Sequence, residues 1–222
     1  MLKDITQALP DEQVHTRLVS LTIQDFRNYN SCRLEIDALK VLLLGENGSG
    51  KTNLMEAVSF LAPGRGLRRA KAEHLPRQST GCADWAVSAR VTSSGETMTL
   101  GTGVRADSEG PRRVMRRDGE TVSQAEVGRL FSVSWLTPRM DGIFLDSLGA
   151  RRRFLDRLVI AFDPAHIGRT SGYEKMLRER TTLLSEGRGD NAWLSAIEAS
   201  LAESAVAVTA ARQSLISDLN AE

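Results

Sequence analysis

The chain has 222 residues, 41% of them hydrophobic and 26% charged, with a formal net charge of +1. That supports one or two domains with a proper core and excludes a disordered or fibrous chain. No apolar stretch approaches the roughly twenty residues that span a bilayer, and residues 1–16 carry Asp4, Pro10, Asp11 and Glu12 where a signal peptide needs an apolar centre, so a cytoplasmic protein with a loose N-terminal extension is expected.

The first ordered signal is at residues 17–24, where Leu18, Ser20 and Thr22 alternate with Val19, Leu21 and Ile23 as in a half-buried strand. A polar turn (Phe26, Arg27, Asn28, Tyr29, Asn30) leads to a second such strand at 32–36. Val41, Leu42, Leu43 and Leu44 then form a short continuous apolar run, which reads as a buried strand of the parallel-sheet kind.

Directly after it, Gly45, Glu46, Asn47, Gly48, Ser49, Gly50, Lys51 and Thr52 fit the phosphate-binding loop pattern Gly-x4-Gly-Lys-[Ser/Thr]. The chemistry explains the spacing. Glycines at 45, 48 and 50 permit backbone angles closed to other residues, so successive N–H groups converge on phosphate oxygens. A helix expected over 51–61, with Leu54, Val58 and Leu61 along one face and Met55 beside it, adds the positive end of its dipole. Lys51 is the candidate for the β- and γ-phosphates of ATP, and the Thr52 hydroxyl for Mg2+.

Farther on, residues 83–92 and 97–104 read as strands joined across Ser93, Ser94, Gly95 and Glu96. Residues 112–117 and 120–122 read as a hairpin through Asp118-Gly119. Ser123 with Glu126 three residues later predicts a capping box opening a short helix to Phe131, and 133–136 reads as another buried strand. From Asp141 the strand signals stop. Helices are expected over 150–162, 167–185 and 192–220, with a loop at Gly187, Gly189 and Asp190. In the last helix Leu194, Ile197, Leu201, Ala205, Val208, Ala211 and Leu215 step by three and four, a seam for a partner helix.

Cys32 and Cys82 suggest neither a disulfide framework nor a zinc site, and His15, His74 and His166 lack a ligand spacing. The near-neutral charge hides three basic clusters. They are Arg65, Arg68, Arg69, Lys71 and Arg77; Arg105, Arg112, Arg113, Arg116 and Arg117; and Arg151, Arg152 and Arg153. On one face they could supply the sequence-independent part of DNA binding, although acids such as Asp107, Glu109 and Asp156 are available to pair with them.

Five stretches carry a resemblance. They are residues 23–29 (Ile-Gln-Asp-Phe-Arg-Asn-Tyr), the loop running through Asn53 into Leu54-Met55-Glu56-Ala57, residues 135–141 (Trp-Leu-Thr-Pro-Arg-Met-Asp), residues 151–157 (Arg-Arg-Arg-Phe-Leu-Asp-Arg), and residues 173–180. In these the chain resembles the N-terminal portion of the RecF family, bacterial recombination mediators among the ABC-type ATPases that also include the SMC proteins. The resemblance implies an α/β fold. A P-loop ABC-ATPase-like head with antiparallel hairpins (residues 17–140) is followed by a mainly α-helical arm (141–222), with the C-terminal half of the head absent.

It further implies ATP and Mg2+ binding and a homodimer closed around two nucleotides. It also implies action on DNA at single-strand gaps or junctions in repair and replication restart, with RecR and RecO as partners in placing RecA. The matching turn in relatives approaches the nucleotide, which makes Arg27 and Asn28 candidates. Arg139 stands where relatives carry a loop that senses the γ-phosphate, and an arginine cannot accept the hydrogen bonds a glutamine can.

The chain departs from the family pattern in lacking the signature segment and the apolar strand ending in two acids. Residues 158–163 imitate that strand. Phe154, Leu155, Leu158, Val159 and Phe162 nevertheless lie at helical spacing and Pro164 replaces the second acid, so a helix end is expected. Hydrolysis by this chain alone is therefore expected to be negligible, and the strands that would flank 41–44 are expected to be missing, leaving apolar surface uncovered. The alternatives are a non-catalytic DNA-binding or dimerisation fragment, an SMC-like head, and a P-loop kinase of small substrates. The long helices and inserted hairpins argue against the kinase.

Overall fold

The computed structural model describes residues 16–36, 38–77, 84–93, 95–105, 112–187 and 190–221. The extension expected over residues 1–15, and His15, Cys82, Asp107, Glu109 and Gly189, lie outside the described residues. Six strands form one antiparallel sheet: β1 (Arg17–Phe26), β2 (Tyr29–Glu35), β3 (Trp85–Ser93), β4 (Glu96–Arg105), β5 (Arg112–Arg117) and β6 (Glu120–Val122), in the order β2-β1-β3-β4-β5-β6. Five helices accompany it: α1 (Lys51–Ser59), α2 (Gln124–Leu130), α3 (Leu148–Phe162), α4 (His166–Glu186) and α5 (Asn191–Ala221).

Register puts the apolar residues on one face. Ile23 lies opposite Val87 and Leu21 opposite Ala89, while across the next ladder Ala89 meets Leu100 and Val91 meets Met98. All are buried, and Leu54 and Ala57 of α1, with Leu61 just beyond its end, join them in one cluster. Because side chains alternate with period two, this pairing gathers every inward residue at once. Phe26, Phe60 and Trp85 meet edge to face, with centroids 5.3–6.0 Å apart, and fix the exit of α1 over the end of β1.

The hairpin between β5 and β6 turns at Asp118 (φ 50°) and Gly119 (φ 91°), the two positive φ values that suit a tight right-twisted hairpin. Ser123 accepts from the Glu126 N–H at 3.2 Å, and the Glu126 carboxylate accepts from the Ser123 N–H at 2.7 Å, completing the capping box.

Two expected strands are not strands. Residues 41–44 belong to no ladder, and Val41, Leu42 and Leu44 are 57%, 80% and 82% exposed. Apolarity alone does not make a strand, since backbone N–H and C=O groups need a neighbour to pair with, and the described residues place none beside this run. Residues 133–136 likewise run without a ladder, with Leu136 exposed.

The helical part is as its periodicity predicts. Ile197, Leu201, Val208 and Leu215 are the buried residues of α5, and Leu194, Ala205 and Ala211 are half-buried between them. Residues 158–163 end α3, with the Asp163 N–H donating to the Val159 carbonyl at 2.7 Å. One correction concerns hydropathy. By length and composition α5 is apolar enough to cross a membrane, its best window having a mean hydropathy of 1.3. Its alanines raise that value, and its large buried residues pack toward α3 and α4.

Arg113 also departs from expectation. Grouped by sequence with a DNA-facing cluster, it turns inward instead. Its guanidinium lies 5.0 Å from the centre of the Phe60 ring and donates to the carbonyls of Phe60 (2.5 Å), Ala62 (3.2 Å) and Gly64. Burial pushes its pKa down to about 10. It caps the negative end of α1 and the turn that follows. Arg113→Ala, which leaves those carbonyls without their donor, is expected to cost about 2 kcal/mol in urea unfolding. Arg113→Lys should recover only part of this, because one ammonium cannot both stack and reach three acceptors.

Candidate functional site

The loop from Gly45 to Thr52 sits where β1, β2 and α1 meet. Gly50 opens α1 with φ 101°, and its carbonyl accepts the Leu54 N–H at 2.9 Å. A Cβ at this position would lie 2.7 Å from the Asn28 amide nitrogen and 2.8 Å from the Tyr29 hydroxyl, so only glycine fits both the angle and the space. The turn between β1 and β2 thus presses on the start of the helix. Burial raises the Tyr29 phenol's pKa, with Cys32 adding to the effect.

Lys51 Nζ donates to the carbonyls of Gly45 (2.5 Å) and Glu46 (2.7 Å) and reaches Ser49 Oγ at 3.5 Å. The ammonium is therefore held over the loop by the loop's own backbone. Thr52 is exposed on the first turn of α1 and makes no side-chain hydrogen bond among the described residues.

Beside this loop lies a network that the sequence reading did not find. Glu56, on α1, is fully buried, and both its oxygens are engaged. Arg27 approaches as a fork, Nε to Oε2 at 2.9 Å and Nη2 to Oε1 at 3.0 Å, and Arg68 Nη1 donates to Oε2 at 2.9 Å. Arg68 Nη1 also donates to Asn53 Oδ1 at 2.6 Å, and Asn53 Nδ2 to Asn28 Oδ1 at 2.7 Å. Arg27, with φ 57°, additionally donates to the His74 carbonyl at 2.7 Å.

Backbone bonds from Arg27 to Leu75 (2.8 Å) and from Arg77 to Asp25 (2.9 Å) hold the opposite wall. Together Arg27, Asn28, Asn53, Arg68, His74, Pro76 and Arg77 line an open pocket of about 540 Å3. One signal was available in sequence: Glu56 stands four residues before the aromatic Phe60 and next to Ala57, on the helix face that packs inward. The expected face of Leu54, Val58 and Leu61 was rotated slightly too far from it, and Val58 is only half-buried.

Two stretches widely separated in sequence also meet. The Arg157 guanidinium lies over the rings of Trp135 (4.7 Å) and Phe154 (5.2 Å), and its Nη2 approaches the Trp135 carbonyl at 3.4 Å. Pro138–Met140 forms a short 3-10 turn that contains Arg139. Asp156 does not pair with the neighbouring arginines but joins the three long helices. It accepts from Arg212 at 2.7 and 2.8 Å, and His166 Nε2 lies 2.8 Å from it. His166 is fully buried and His74 exposed; among the described residues no cluster of His, Cys, Asp and Glu could hold a metal.

Residues 17–213 match the family described as RecF/RecN/SMC N terminal domain. The DNA replication and repair protein RecF of Agrobacterium fabrum is 45% identical over 200 residues, covering 90% of this chain and 53% of that protein. RecF of Rhizobium meliloti is 45% identical over 206 residues, covering 92% and 54%. The chain thus spans about half the length of the curated relatives it matches. Among solved structures, the recombination mediator protein RecF-ATPrS in the RecFOR pathway superposes with a TM-score of 0.83 at 24% identity, covering 93% of this chain and 56% of that one. RecF-ATP superposes with 0.82 at 23%. These superpositions show that the chain shares that fold.

Proposed function

The chain belongs to the RecF/RecN/SMC N-terminal domain family, and from that premise we propose that it binds ATP with magnesium through residues 45–52 and serves DNA replication and repair in the cytoplasm. Residues 17–140 are the N-terminal part of an ATPase head and residues 141–222 its arm. The observation that carries this reading is the loop itself. Gly50 starts α1 in the left-handed conformation, and the Lys51 ammonium is gathered over the loop's backbone.

A triphosphate tail would take over the lysine protons now shared with the Gly45 and Glu46 carbonyls and receive the N–H groups at the start of α1. A magnesium ion held there would offset part of the phosphate charge. The exposed Thr52 hydroxyl, an oxygen donor on the first turn, fits that hard cation. Arg27 and Arg68, held at the pocket rim by Glu56, add positive charge beside the phosphates, and Asn28 fixes the turn against Gly50.

The wider role follows the family: a homodimer closed by two nucleotides, DNA engaged at single-strand gaps, and RecR and RecO as partners. Turnover by this chain alone is expected to be negligible, because Glu56, the buried acid beside the pocket, is committed to two arginines and cannot order a second magnesium ligand or an attacking water.

Calorimetry with magnesium-ATP tests the binding. Lys51→Ala should weaken it by roughly ten- to a hundred-fold, the worth of one charge-assisted phosphate contact. No heat from folded wild-type protein would sink the proposal. A steady-state ATPase rate abolished by the same substitution would overturn the claim about turnover.

A further inference from the structure

The loop that leaves α1 is fastened to the sheet and to α2. Arg113 of β5 holds the carbonyls of Phe60, Ala62 and Gly64, and the Gly64 N–H donates to Gln124 Oε1 of α2 at 3.0 Å. The turn between α3 and α4 is fastened from within. There the Asp163 N–H donates to the Val159 carbonyl at 2.7 Å and the His166 N–H to the Asp163 carbonyl at 3.0 Å, while Arg169 pairs with Asp163 and His166 reaches Asp156 at 2.8 Å.

These two fastened pieces meet at Gly128 of α2. A Cβ there would lie 2.6 Å from Pro164 Cβ, 3.1 Å from Pro164 Cγ and 3.0 Å from Pro63 Cγ. Beside them, Ile167 of α4 comes within 3.9 Å of the place a Cβ on Gly64 would take. Gly128 is buried inside a helix, where its backbone angles are open to any residue and glycine is a poorer helix former than alanine. Space, and not conformation, is therefore what glycine supplies at this position: the two proline rings occupy the place of its side chain. A proline ring has no free torsion with which to swing aside, so a methyl group added at residue 128 must displace the backbone that carries a ring. Pro63 sits in the loop that Arg113 holds to the sheet, which leaves Pro164 as the side that gives.

We propose that Gly128 and Pro63 form the seat, and Pro164 the bearing surface, of a joint that sets the angle of α4 against the sheet. Helix α4 starts at His166, directly after the joint, and Asp156 ties it to α3 and α5. The next anchor back along the chain is Arg157, stacked on Trp135, roughly 10 Å from Pro164 at 1.5 Å per residue. Relaxing the forced contact to an ordinary carbon–carbon distance of about 3.6 Å moves Pro164 by about 1 Å, which over that lever is a turn of about 5°.

Double electron–electron resonance on the whole chain tests the joint. Spin labels go on keto amino acids placed at Thr182 of α4 and, in turn, at Thr99 of β4 and Glu120 of β6, all three exposed. Gly128→Ala should shift the mean of at least one of the two distances by roughly 2 Å without broadening it. Adding Pro164→Gly, which removes the nearest atoms that the new methyl meets, should return that mean toward the wild-type value.

Unmoved means in folded Gly128→Ala protein would overturn the joint. So would a shift that Pro164→Gly leaves in place, because the push would then run through another contact. Should Gly128→Ala misfold, Pro164→Gly alone empties the bearing and should broaden both distributions; widths equal to those of wild type would count against the proposal in the same way.

Discussion

Glu56→Ala is expected to lower stability by about 3–4 kcal/mol, among the largest single-residue effects in this chain. The carboxylate has no access to water, while the arginine side chains it holds are 21% and 42% exposed. Removing it leaves a void beneath α1 and two guanidiniums facing each other. Arg68 can swing toward solvent, but Arg27 stays tethered to the His74 carbonyl, so its charge is only partly rehydrated. Glu56→Gln keeps the volume and one acceptor, and about half the loss is expected. Urea unfolding of both variants decides the matter. A loss below about 1 kcal/mol for the alanine variant would mean that the network is rebuilt by water and carries little energy.

Asp156→Ala should cost a similar amount, about 3 kcal/mol, by a different route. Asp156 is the only carboxylate that Arg212 of α5 and His166 of α4 share among the described contacts, so its loss unties all three long helices at one point. Burial pushes the Asp156 carboxyl upward, but the hydrogen bonds from His166 and Arg212 outweigh it and hold the pKa below the usual aspartate value. Stability from this group is thus complete above the unfolded-state pKa of about 3.9 and drains away as pH falls through the lower folded value. Wild-type protein should lose stability across that acid window. The alanine variant should lose less there, and parallel acid profiles for the two proteins would count against the assignment.

Local chemistry was readable without coordinates. Asp118-Gly119, the Ser123–Glu126 box and the α5 seam each depend on residues within a turn or two of one another, and each stands as the spacing predicts. What failed depends on distant partners. The run at residues 41–44 has strand composition, but a strand is a relation between two segments, and composition is silent about the second. Arg113 and Arg116 look alike in sequence; only the register of β5 against β4 decides that one turns onto α1 while the other is exposed. Glu56 was hidden for the converse reason, because a charge on an inward face is interpretable only once the arginines that neutralise it are known. The pattern at residues 45–52, on which the proposed phosphate site rests, could be recognised because it lies in consecutive residues.

The tie at Asp156 has a mechanical corollary. Arg212 grips near one end of a 31-residue helix, and at 1.5 Å per residue the far end at Asn191 stands roughly 30 Å away. Arg180 and Glu198, 2.7 Å apart, join α4 to α5 close to that far end. A tilt of about 5° at the pivot would carry its tip through roughly 3 Å.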